Sequence, residues 1–139
     1  MILIDTGPLV ALCDERDSRY EIAIERLEEL AKADLAICDA ILAEACFHLP
    51  RRIQRQRLQT WLDEFDVVSL PADADASFRS DVFAWLLKYA EHEPDWADAC
   101  IAVLCGIDRS LSVWTFDQEF HTTWRRPDGT RIPLAVTPR

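Results

Sequence analysis

Short apolar runs alternate with longer amphipathic stretches along the chain. Ile2, Leu3 and Ile4 form the first run and suit a buried strand. Thr6-Gly7-Pro8 interrupts it, and Pro8 fits the first turn of a helix that continues from Leu9 to Cys13. Ser18, followed three residues later by Glu21, reads as a capping box for a second helix, with Ile22, Leu27 and Leu30 on its apolar stripe and an end near Lys32. Leu35–Cys38 is a second strand, and Asp39 is placed to cap a helix over 40–48 that stops before Pro50. Residues 51–65 predict an amphipathic helix with Ile53, Leu58, Trp61, Leu62 and Phe65 on one side. A third strand at 67–70 is closed by Pro71, and a helix over 73–90 carries Phe78, Val82, Trp85 and Leu86. Pro94-Asp95 opens the next helix, through Cys105, with Gly106 at its end. Residues 111–115 are a fourth strand, 117–121 a short helical turn, and 132–136 a candidate edge strand, the position where Pro133 is tolerated.

Strands alternating with helices predict an α/β fold of three layers, α/β/α, around a short, mainly parallel sheet of four or five strands. No linker, repeat or low-complexity segment divides the chain, so a single domain over 1–139 is expected. In such sheets ligands bind outside the carboxyl ends of the strands. Residues just after a strand are therefore the first candidates for function.

Composition narrows the setting. The 139 residues, half of them hydrophobic, are enough for one cored domain. No apolar run approaches the ~18 residues of a membrane span, and Met1-Ile2-Leu3-Ile4-Asp5 lacks the basic start of a secretory signal. The five cysteines form no CxxC pair and sit in apolar contexts, which predicts buried reduced thiols in the cytoplasm and argues against a zinc site. Fifteen Lys and Arg against 25 Asp and Glu give a net charge of -10. Such a surface repels nucleic acid on average, so a nucleic-acid ligand would need a local basic patch or bridging metal ions. Arg51-Arg52-Ile53-Gln54-Arg55-Gln56-Arg57 is the densest basic stretch, and Arg125-Arg126 with Arg131 is a second. Each is either a solvated face or a binder of phosphate or carboxylate.

Most acids lie among other charges, as Glu25, Glu28 and Glu29 do, and read as solvated surface. Four stand apart. Asp5 ends the first strand, Glu44 is the only charge between Ala40 and Phe47, Asp98 is the only charge from Trp96 to Ile107, and Asp117 directly follows Val113-Trp114-Thr115-Phe116. The helix around Asp98 is apolar all round and so predicted to be buried; its carboxylate must be paired, protonated or bound to a cation. Parallel strands would bring all four acids to one rim. Clustered carboxylates repel, and a divalent cation removes the conflict; oxygen ligands suit Mg²⁺ or Mn²⁺. Plainer roles stay open: Asp98 closing a capping box begun by Asp95, Asp117 in a turn or cap, Asp5 as an Asx-turn acceptor.

The motifs around these acids resemble those of PIN domains. Asp5-Thr6-Gly7-Pro8-Leu9-Val10-Ala11-Leu12, Leu42-Ala43-Glu44-Ala45, Asp95-Trp96-Ala97-Asp98-Ala99-Cys100-Ile101-Ala102 and Thr115-Phe116-Asp117-Gln118-Glu119-Phe120 follow the family's order and cover nearly the whole chain. The size is similar to that of VapC-like toxins of bacterial toxin–antitoxin pairs. The resemblance implies a Mg²⁺-dependent endoribonuclease, usually dimeric and held inactive by a cognate antitoxin. Carried over motif by motif, Asp5, Glu44, Asp98 and Asp117 form an acidic quartet, with Asp5 and Asp98 the principal metal ligands and Glu44 and Asp117 completing the pocket. Thr6 and Thr115 would support the site, while Asp95 and Glu119 would hold ligands through water or cap helices. Arg51, Arg52 and Arg55 would hold RNA or an acidic partner segment. The stretch from Arg125 to Leu134 departs from the minimal pattern. Five tryptophans in so small a chain suggest an apolar interface for a homodimer.

Two other functions compete with this expectation. One is a PIN-like protein-interaction module with little catalysis, and the other a DNA-directed metal nuclease, since nothing in the sequence reads a 2′-hydroxyl. A haloacid-dehalogenase-type phosphatase is excluded, because that chemistry wants a second Asp two residues after the nucleophile and Asp5 is followed by Thr6-Gly7.

Overall fold

In a computed structural model that describes residues 1–70 and 76–136, the chain forms a three-layer α/β fold. The strands are β1 (Ile2–Ile4), β2 (Leu35–Cys38), β3 (Val68–Leu70) and β4 (Ser112–Trp114). The helices are α1 (Thr6–Cys13), α2 (Tyr20–Leu30), α3 (Asp39–His48), α4 (Arg52–Glu64), α5 (Ala76–Lys88), α6 (Trp96–Ile107) and α7 (Glu119–Thr122), with a 3₁₀ turn at Ala90–His92. The expected closure at Pro71 and the start of α5 at Asp73 lie outside the described residues.

All strand pairings are parallel, in the order β3-β2-β1-β4. The chain thus builds outward from β1 to β3, then returns to place β4 on the other side of β1. That reversal is a topological switch point, and it lies between β1 and β4. Their register pairs Ile4 with Trp114, so Asp5 and Thr115 leave the sheet side by side. Asp5 caps α1 directly, its Oδ1 accepting from the Thr6 N–H at 2.7 Å, so no loop separates β1 from the helix.

Several local expectations change. Ser18 does not cap α2: the cap position is Arg19, and Asp17 Oδ1 accepts the Arg19 N–H at 2.8 Å, so an Asx turn replaces the capping box. Asp39 is the first residue of α3 rather than its cap, which is Cys38. The fifth strand shrinks to a single parallel bridge from Leu134 to Val113, on the free side of β4. Of the five tryptophans, Trp85, Trp114 and Trp124 are core, Trp61 is half-buried and only Trp96 is exposed, so they serve packing more than an interface. All five cysteines are free; Cys13, Cys38, Cys100 and Cys105 are buried as expected, while Cys46 is only half-buried. Among the described residues no helix is long and apolar enough to cross a membrane.

Two arginines expected on binding faces close helix ends instead. Arg55 Nε and Nη2 donate to the carbonyls of Leu49 and Cys46, at 2.9 and 3.0 Å, satisfying the end of α3. Arg126 is buried and donates from Nε to the Cys105 carbonyl at 3.0 Å and from Nη2 to the Arg109 carbonyl at 3.3 Å. The stretch after the last motif is therefore a clamp on the end of α6. A Cβ on Gly106 would meet Pro127 Cδ at 2.9 Å, which is why glycine stands in the last turn of α6, one residue before its end at Ile107. Arg126→Met is expected to cost about 2–3 kcal/mol, because it buries carbonyls without their charged donor. Urea unfolding with an unchanged m value would show it.

Candidate active-site cleft

A cleft of about 650 Å³ opens at the carboxyl ends of β1 and β4. Asp5, Glu44, Asp98 and Asp117 all line it, brought there from β1, α3, α6 and the segment after β4. Asp95 and Thr6 line it too, whereas Glu119 does not. One Glu119 carboxylate oxygen is instead buried with no hydrogen-bond partner.

Each acid is held by a neighbour that its local structure dictates. Asp5 is 8% exposed. Its Oδ2 accepts from the buried Thr115 hydroxyl at 2.7 Å, a contact fixed by the β1–β4 register. The same hydroxyl oxygen accepts from the Asp117 N–H at 2.9 Å, so Thr115 ties two of the acids together. Asp117 Oδ1 in turn accepts from the Glu119 N–H at 2.9 Å. The Thr6 hydroxyl donates to Glu44 Oε2 at 3.2 Å. Asp95 and Asp98 form a reciprocal cap on α6: Asp95 Oδ1 accepts from the Asp98 N–H at 2.8 Å, and Asp98 Oδ2 from the Asp95 N–H at 3.1 Å. The capping box of Asp98 and the turn role of Asp117 are thus real, whereas Asp5 accepts from the next residue's N–H as the cap of α1 and not in an Asx turn; all three roles coexist with a place in the cleft.

The electrostatics follow from burial. Desolvation pushes the Asp5 carboxyl up to about 6; its hydrogen bonds from Thr115 and Thr6 oppose the rise, while Glu44 and Asp117 add to it. Asp98 rises to about 8, through burial first and then Asp95, with Asp5 and Asp117 adding smaller pushes. Glu44 is raised by burial and by Asp95, against the Thr6 hydrogen bond and His48. The cleft is a place where negative charge is costly unless a cation compensates it.

Among the described residues no three His, Cys, Asp or Glu side chains already converge as a ligand group for a metal ion. Mg²⁺ does not require that, since it keeps several waters and takes one or two carboxylates. An all-oxygen donor set of buried, mutually repelling acids fits a hydrated divalent cation.

The PIN domain family matches residues 2–124. This chain belongs to the PIN domain family. Among solved structures, VapC20 of Mycobacterium tuberculosis, a sarcin–ricin loop cleaving toxin, shares the fold at a TM-score of 0.72. The match covers 91% of this chain and 98% of VapC20, at 20% sequence identity. No curated protein matches the chain significantly.

In this PIN domain the cleft also holds residues that the sequence did not single out. Asp17, Arg19 and His48 line it, as does Phe116. His48 follows Glu44 by one turn of α3, with Nε2 3.9 Å from Glu44 Oε1, a spacing that could have flagged it. Asp17 and Arg19 belong to a run of mixed charges with no such signal. Thr115→Val is expected to move the titration midpoint of Asp5 further upward, because it deletes a charge-assisted hydrogen bond to the ionised form. Carboxyl chemical shifts followed against pH would report it, and an unmoved midpoint would contradict the assigned role of Thr115.

Proposed function

We propose that this PIN domain is a metal-dependent endoribonuclease, with Mg²⁺ as its cofactor and Mn²⁺ as a substitute, and that it acts as the toxin of a toxin–antitoxin pair. The observation that carries the reading is the meeting of Asp5, Glu44, Asp98 and Asp117, from four separate segments, on one cleft at the sheet's switch point. Family membership and the fold shared with VapC20 support it. Asp5 and Asp98 would hold the cation, with Glu44 and Asp117 completing the negative pocket. Bound there, the cation would supply a hydroxide-like nucleophile from water near neutral pH and charge to offset that developing on the phosphodiester. The chain's own residues prepare the site. Thr115 and the Thr6 N–H each hold one Asp5 oxygen, Asp95 fixes Asp98 at the start of α6, and the Thr6 hydroxyl steadies Glu44. The raised Asp5 and Asp98 carboxyls make protons and cation competitors for the same oxygens.

The proposal includes a cognate antitoxin and a homodimer. Support for an apolar partner face comes from α5 and α6, where Leu87 is 76% exposed and the exposed rings of Phe83 and Trp96 meet edge to face at 5.1 Å. The direct test is cleavage of a panel of RNAs, the sarcin–ricin loop among them, in Mg²⁺, Mn²⁺ or chelator. Defined cuts are expected with either metal, and none in chelator or with Asp5→Asn. Cleavage undiminished in chelator would sink the proposal.

A further inference from the structure

We infer that Arg19 is the phosphate-holding residue of the cleft, gripping the RNA backbone beside the acidic quartet. The ligand class rests on the function proposed above. The cleft is lined by Asp5, Asp17, Glu44, Asp95, Asp98 and Asp117, and Arg19 is the single Lys or Arg in that described lining. A polyanion approaching six carboxylates meets a repulsive field, and one divalent cation offsets only two of those charges. A fixed positive group at the cleft therefore lowers the repulsion that RNA meets there.

Arg19 is built for that task in a way the other arginines are not. Its guanidinium lies over the Phe116 ring, with Cζ 5.0 Å from the centroid, and Nη1 donates to the Phe116 carbonyl at 3.3 Å. Among the described residues the ion pairs within 4.0 Å involve Arg26, His48, Arg57 and Arg109; Arg19 forms none, despite the acids around it. A neutral carbonyl and a ring hold it, so its charge is not cancelled. A guanidinium carries five N–H donors, and one is used. The remaining donors form the planar fork that recognises phosphate in bidentate fashion. Arg55 and Arg126, by contrast, are committed to main-chain carbonyls. The mount also sets position: Phe116 immediately precedes Asp117, and the Arg19 N–H is tied to Asp17. Arg19 is thus anchored to the segment that carries one member of the quartet.

The test measures binding of a short fluorescent single-stranded RNA in Ca²⁺ buffer, across a range of salt, for wild type, Arg19→Gln and Arg19→Lys. Arg19→Gln is expected to weaken binding about tenfold and to make the salt dependence shallower by about 0.7, the share of one phosphate contact on a single strand. Arg19→Lys restores the slope and part of the affinity, since it keeps the charge and loses the fork. The rise in melting temperature on adding Mg²⁺ stays as in wild type for both variants, which separates phosphate holding from damage to the acidic site. Wild-type RNA binding matched by Arg19→Gln, in affinity and slope, overturns the inference alone. A wild type that binds no RNA and shows no cation-induced stabilisation overturns it together with the proposed function.

Discussion

Asp98→Asn is expected to stabilise the cation-free protein at pH 8 while cutting RNA cleavage more than about 100-fold. The two effects have one cause. Asp98 sits at the start of a buried helix with Asp95, Asp5 and Asp117 pressing on its charge, and burial is the largest push of all. Asparagine keeps an oxygen to accept the Asp95 N–H, so the reciprocal cap on α6 survives. What disappears is the repulsion, for a gain of about 1–2 kcal/mol after allowance for solvent screening and so a few degrees in melting temperature. The same change removes a carboxylate that the proposed reaction needs. Loss of function with a gain in stability marks a site kept for activity against the interest of the fold. Melting curves in chelator, with cleavage assays on the same preparations, check both halves. A variant that is destabilised at pH 8 would show that the carboxylate is favourable where it stands.

The second large effect is the pH dependence of stability without metal. Asp5, at about 6, and Asp98, at about 8, hold protons more tightly in the folded chain than the ordinary carboxyl value of 3.8 allows. Their contribution to stability is therefore complete below about pH 4 and lost as pH rises, through about 6 for Asp5 and then about 8 for Asp98. For Asp5, only 8% exposed in the cleft wall, the loss is on the order of 3 kcal/mol. Asp108 and Asp128 work in the opposite sense, held low by hydrogen bonds from Ser110 and Thr130 respectively. Asp128 titrates near 2, well below this window, so the acid cleft dominates between pH 5 and 8. In chelator the melting temperature is expected to fall across that range. Added Mg²⁺ or Mn²⁺ reverses the trend, because deprotonated carboxylates bind it best; at a hundred times its dissociation constant it contributes about 2.7 kcal/mol. A flat profile in chelator, or metal stabilisation that grows as pH falls, would contradict the account.

The sheet and the four acids were legible because each is written locally. A charge alone in an apolar run, as at Asp98, has to be explained by what surrounds it, and an acid directly after a buried strand, as at Asp5, has one place to point. What stayed hidden depends on contacts between distant segments. Arg19 lies in Asp14-Glu15-Arg16-Asp17-Ser18-Arg19, where nothing distinguishes it; only Phe116, 97 positions away, selects it. Arg55 and Arg126 look like surface cations until the carbonyls they satisfy are known. Ser18 carries a valid capping pattern, yet the Asx turn at Asp17 starts the helix one residue later. The edge strand is reduced to one bridge at Leu134: Pro133, tolerated at an edge, has no N–H with which to extend the ladder back toward Ile132.

The strand order has a consequence for how the protein is made. The ribosome delivers β1, β2 and β3 first, and these can pair as they emerge. Until β4 arrives, one side of β1 stays open and Asp5 lacks its Thr115 partner, while α6 and Asp117 also come late in synthesis. A nascent chain therefore carries only half a cleft. The ribonuclease proposed for this chain would be born inert beside the translation machinery, its site complete only when β4 docks and brings Asp117 with it.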